Sequence, residues 1–123
     1  MKRFRLENMT PQQLVERFVE ITVAQDRALL YSEIERYNQL IDEMRLVQDE
    51  LKNHPGDQRR KLLPLYQHPN WQVQLMAARA TLAIAPEAAR RMLENIAASR
   101  HFPQAGDAGM SLVNLDRGIF KPT

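Results

Sequence analysis

Met9-Thr10-Pro11-Gln12-Gln13-Leu14 marks the start of a helix by several signals at once. Thr10 is a favoured N-cap, Pro11 falls at the first helical position where its missing N–H costs nothing, and Gln13 stands where its side chain closes a capping box. Met9 and Leu14 occupy the two positions of a hydrophobic staple. Leu14, Phe18, Ile21 and Gln25, with Val15 and Thr22, then keep helical spacing to about Leu30. A second box, Ser32-x-x-Glu35, opens a helix whose apolar positions are Ile34, Tyr37, Ile41, Met44 and Leu51, broadened by Leu40 and Val47. Asn53-His54-Pro55-Gly56 supplies a cap residue and two breakers, so residues 10–53 read as a helical hairpin.

The remainder continues in helices. Residues 57–67 carry Leu62, Leu63, Leu65 and Tyr66 around Pro64, which predicts a kinked helix. After the turn at His68-Pro69, Asn70 caps a predicted helix over Trp71–Ala85 with Val73, Ala77, Ala80 and Ile84 on one face. Pro86 opens the next, with Ala89, Met92, Leu93 and Ile96 in line to about Ser99. Pro103 opens the last, where Ala105, Ala108, Gly109 and Leu112 repeat the spacing before Gly118 ends it as the left-handed residue. No stretch alternates with the period of a strand. The expected fold is all-α with about six helices in a single domain, 1–123: the hairpin, then helix-turn-helix units at 57–85 and 86–118.

Each unit is about 30 residues long, close to the length of known helical repeats. Leu62-Leu63-Pro64-Leu65-Tyr66, His68-Pro69-Asn70, Val73-Gln74 and Ala77-Ala78 with Ala80 resemble a HEAT repeat, in which a proline bends the first helix and an alanine-rich second helix follows a Pro-containing turn. Gln74 stands where that family often has Arg, and His68 where it often has Asp, so the ladder that stiffens long arrays is missing. The tail, Phe102-Pro103-Gln104-Ala105-Gly106-Asp107-Ala108-Gly109-Met110 and Leu115-Asp116-Arg117-Gly118-Ile119-Phe120-Lys121-Pro122, resembles a family of small bacterial HEAT-like proteins known as a domain of unknown function. That resemblance implies a short right-handed α-solenoid behind an N-terminal hairpin and implies no activity.

Composition narrows the chemistry. The 123 residues hold no cysteine, which excludes a disulfide framework, a zinc finger, an iron–sulfur site and a thiol nucleophile. Four glycines are too few for a phosphate-cradling loop of the usual kind. The basic start Met1-Lys2-Arg3 lacks the apolar run of a signal peptide, and no stretch approaches the ~20 apolar residues of a membrane span. A cytoplasmic location is the expectation. Glu35, Asp42 and Asp49, with Glu43 and Glu50, line one side of the second helix, but they alternate with Arg45 and Lys52 as on a solvated face. His54, His68 and His101 stand in turns or loops, where capping or exposed roles outweigh ligation. No catalytic constellation, metal site or cofactor site assembles.

Charge is divided unevenly. Residues 1–56 hold eight basic and ten acidic side chains, net −2, whereas residues 57–123 hold nine and five, net +4. Arg59, Arg60 and Lys61, together with Arg79, Arg90 and Arg91, are therefore candidate partner-binding residues, and their excess of Arg suits phosphate or carboxylate groups. Trp71, the sole tryptophan, reads either as a cap packed near Tyr66 or Leu75 or as an anchor for a partner. Gly106-x-x-Gly109 reads as a flat surface for close packing of a neighbouring helix inside the fold. Two functions follow as expectations. The first is a non-enzymatic protein-interaction module, with a homodimer among its expected states because two repeats leave an apolar end to cover. The second is a nucleic-acid binder using Arg59, Arg60, Lys61, Arg90 and Arg91.

Overall fold

The computed structural model describes residues 5–123, and among them every regular element is helical. A short 3-10 turn at Leu6–Asn8 precedes α1 (Pro11–Leu30) and α2 (Ile34–Asn53). A ten-residue 3-10 segment, Gln58–Gln67, leads to α3 (Trp71–Ala80), α4 (Pro86–Ala98) and α5 (Gln104–Asp116). The six expected helices are thus present, the third of them wound as 3-10. The chain divides into two compact units between Lys61 and Leu62, within the stretch expected to form the first repeat.

In the N-terminal unit the first helix begins as its sequence dictates. Thr10 Oγ1 accepts from the Gln13 N–H at 3.1 Å and the Gln13 side chain accepts from the Thr10 N–H at 2.9 Å, so both halves of the capping box form. Leu14, Phe18, Ile21 and Ala28 of α1 pack with Leu40, Met44, Val47 and Leu51 of α2, all nearly inaccessible. Burying a side chain of this size stabilises by about 1.5–3 kcal/mol. Gln25 lies in the same seam and donates to the Leu40 carbonyl at 3.3 Å.

The second capping box does not form. Only Tyr31, Ser32 and Glu33 separate α1 from α2, and the reversal is made by Ser32 in a left-handed conformation, φ 57°. Glu33 becomes the cap residue without a side-chain bond, and Ile34 faces solvent. The expected stripe beginning at Ile34 and Tyr37 is accordingly rotated: Leu40 and Val47, read as its margin, are central, and Ile41 is half-buried. At the other end His54 caps α2, its Nδ1–H donating to the Glu50 carbonyl at 2.8 Å.

In the C-terminal unit α3 packs on α4 and α5, and α4 on α5. Pro64 does not kink an α-helix. The whole segment is wound as 3-10 with Pro64 inside it, and the proline ring would crowd the Arg60 carbonyl in an α-helix. Asn70 caps α3 as expected, its Oδ1 accepting from the N–H groups of Gln72 and Val73 at 2.8 and 3.2 Å. The third α-helix stops at Ala80, five residues before the expected end. Thr81 Oγ1 donates to the Ala77 carbonyl at 2.8 Å, and Ala85, at φ −144° and ψ 62° ahead of Pro86, lies outside the helical region. The fifth helix closes as expected, with Gly118 at φ 68°. Its N–H reaches the Leu115 carbonyl and that of Ile119 reaches Asn114, the paired bonds of a Schellman motif.

Candidate interaction surface

Three of the seven candidate partner-binding residues are consumed inside their own units. Arg59 is 95% buried because Asp57, two residues earlier at φ 52°, turns its carboxylate onto the guanidinium. Nε donates to Oδ1 at 2.9 Å and Nη2 to Oδ2 at 2.7 Å, a bidentate pair. That pair holds the Asp57 carboxyl below its ordinary range and raises the Arg59 pKa further. Arg79 ties α3 to α5, donating to Ser111 Oγ at 2.8 Å and to the Asp107 carbonyl at 3.2 Å. Arg90 grips Asp116 across α4 and α5 at 2.8 and 3.2 Å, with Glu94 at 3.6 Å. Arg60, Lys61 and Arg91 are exposed and form no ion pair among the described residues. The expected run Arg59-Arg60-Lys61 therefore presents two cations instead of three, and the expected basic face loses Arg79 and Arg90.

Trp71 is half-buried, and its ring stacks on His101 with centroids 4.8 Å apart and planes 17° from parallel. Its neighbour is thus the loop leading into α5. His68 Nδ1 accepts the Asn70 N–H at 3.0 Å, and Gln74 donates to the His68 carbonyl at 2.6 Å. Gln74, where the HEAT pattern often has Arg, closes its own turn. No group of three metal-ligating side chains occurs among the described residues.

The polar links that join the C-terminal helices were not evident from the sequence. Gln104 Nε2 donates to Gln72 Oε1 at 2.9 Å, with both side chains fully buried between α5 and α3. Tyr66 and Thr81 lie 2.6 Å apart. The single Thr81 hydroxyl proton is directed to the Ala77 carbonyl, so Tyr66 donates, and burial pushes its phenol pKa up.

The two glycines of the last helix face the wrong way for internal packing. A Cβ on Gly109 would meet nothing within 4 Å, and one on Gly106 would meet only the Phe102 ring at 3.8 Å. Ala105 and Ala108, not the glycines, fit against the neighbouring helices. Opposite them, Gly106, Met110 and Val113 form one line down the outside of α5, with Phe102 at its head. Phe102 is 68% exposed, Met110 59% and Val113 40%, and Ile119 and Phe120 extend the apolar surface into the tail at 68% and 48%. The periodicity that placed Ala105, Ala108 and Leu112 inward also places Met110 and Val113 outward. That was the available signal.

The chain was compared with known proteins. A family model described as a domain of unknown function (DUF2019) matches residues 12–116. A crystal structure of the protein RPA1889 from Rhodopseudomonas palustris CGA009 is 53% identical, covering 98% of this chain and 100% of that one with a TM-score of 0.94. No curated protein matches. Neither description names a ligand or an activity.

Proposed function

The chain belongs to the DUF2019 family, a domain of unknown function, and from that premise we propose that it is a non-enzymatic protein-interaction module whose docking surface is the outward face of α5. The observation that carries this reading is the line Phe102, Met110 and Val113 exposed beside a core that is already filled by Val73, Leu93, Ile96 and the buried alanines. Exposed contiguous apolar surface is costly in a free monomer and marks a site of contact. The proposal includes a HEAT-like pairing of the helices, supported by the proline-containing turn and the alanine-rich α3, and a cytoplasmic setting. It takes no cofactor.

Retention from a lysate of the native cell, at physiological salt, tests the reading with immobilised wild type and the Met110→Asp variant side by side. A defined protein held by wild type and lost by the variant is the expected result. Identical retention by both, or none by either, overturns it. Exposed substitutions of this kind change stability by within about 0.5 kcal/mol, so the variant reports on the surface.

A second reading, binding to nucleic acid, draws on Arg60, Lys61 and Arg91, which are exposed without an ion pair among the described residues. Retardation of DNA or RNA that weakens steeply with added salt supports it, and no retardation at low salt removes it.

A further inference from the structure

We infer that the outward face of α5 is self-complementary and that its occupant is a second copy of this chain, docked antiparallel. The inference rests on the reading of that face as a contact surface and adds the identity of what covers it. Gly106, Met110, Val113 and Arg117 step by four, three and four along the helix, so they lie in one row opposite the buried Gln104, Ala105 and Ala108. Asp107 flanks the row at its N-terminal end and Arg117 ends it at the C-terminal end, about 15 Å further along the axis. Neither makes an ion pair among the described residues.

That charge order decides the orientation and the partner. Two such rows related by a two-fold axis run in opposite directions, which sets Met110 against the second copy's Val113 and brings each Arg117 alongside the other copy's Asp107. The same ion pair forms twice, and the contact closes on itself as an isologous dimer. Parallel docking would instead stack Asp107 on Asp107 and Arg117 on Arg117. Gly106 adds no side chain of its own near the head of the row, where the Phe102 ring lies 3.8 Å from the place its Cβ would take and adds exposed apolar surface. The other exposed apolar group, Leu30, Tyr31 and Ile34, sits on the turn of the α1–α2 hairpin and not along one helix row; cations and anions are mixed around it, Arg27 and Arg36 with Glu33 and Glu35, and Arg27 lies over the Tyr31 ring at 5.6 Å, so no order of charge along an axis selects a second copy there. A single helix face is a small interface, so dissociation on the order of micromolar is expected.

The test is the solution mass of the full-length chain over a dilution series, for wild type, Asp107→Arg, Arg117→Asp and an equimolar mixture of the two variants. Circular dichroism confirms that each variant is folded. Wild type is expected to pass from monomer to dimer, and each variant alone to associate roughly tenfold more weakly or worse, because like charges now meet twice. The mixture is expected to recover association, since every Arg at one position then faces an Asp at the other. Wild type that stays monomeric at every concentration, single variants that associate as wild type does, or a mixture that recovers nothing each overturn the inference. A monomeric wild type that still retains a protein through Met110 leaves the interaction module intact without its second copy. A dimer that retains nothing removes the module and leaves the self-association.

Discussion

The two units bury comparable cores by different means. In the N-terminal hairpin, two helices of 20 residues each meet along a seam of large apolar side chains, Leu14, Phe18, Ile21, Leu40, Val47 and Leu51. In the C-terminal unit the helices are 10 to 13 residues long and much of the seam is alanine: Ala77, Ala78, Ala80, Ala89, Ala105 and Ala108. Alanine lets the helices approach but buries little area per residue. Register there is held by side-chain bonds that cross between elements: Gln72 with Gln104, Arg79 with Ser111, Tyr66 with Thr81 and Arg90 with Asp116. The difference teaches where each unit is vulnerable. The hairpin should fail by cavity formation, and the C-terminal unit by loss of specific polar partners.

The largest expected effect lies in the hairpin. Phe18→Ala should destabilise it by about 3–5 kcal/mol, read from denaturant unfolding, because a fully buried ring leaves a cavity the seam cannot collapse around. A loss below about 1 kcal/mol would show that the seam is not what holds the hairpin. In the other unit, Gln104→Leu keeps the volume and removes the buried bond that Gln72 Oε1 accepts from Gln104, which should cost about 0.5–1.5 kcal/mol. If that variant were neutral, the claim that polar links set the register of the short helices would fail.

Gly109→Ala works in the opposite direction. Its new methyl group meets open space and helix propensity improves, so the chain should gain up to about 1 kcal/mol in thermal unfolding. A clear loss would restore the internal close-packing role that the sequence first implied for this glycine. The smallest effect is a titration. Arg59 hydrogen-bonds the Asp57 carboxylate and lowers its pKa, so the unfolded chain binds that proton more readily than the folded one. The stabilisation is therefore complete above the ordinary carboxylate pKa of about 4 and is lost as pH falls through the lowered folded value. Asp57→Asn should flatten that acid limb of the stability curve, and an unchanged limb would show that the pair contributes nothing.

How much of this was legible depended on the range of each interaction. The capping box at Thr10, the cap at Asn70, the helix start at Pro86 and the closing turn at Gly118 are set by residues within four positions, and sequence order alone contains them. Ser32 carried the same local signal and was overruled, because a three-residue turn needed its backbone in the left-handed region and could not spare it as a cap. Arg79 and Gln104 find their partners about 30 residues away, and nothing in their neighbourhoods announces those bonds. Arg59 misled because a run of three cations reads as surface, whereas the Asp57 turn folds the first of them inward. The exposed row on α5 was written in the period of the helix, but the inward stripe and the glycines drew the reading to the opposite side.

Both units expose apolar side chains, and the central proposal is that the row on α5 makes a contact whereas the exposed residues of the hairpin do not. Side-chain methyl resonances followed through dilution of the wild-type chain test it most directly. Met110 and Val113 should shift with concentration while Leu30, Ile34 and Leu46, more exposed on the hairpin, stay fixed. Shifts confined to the hairpin methyls, or none at all, would contradict it.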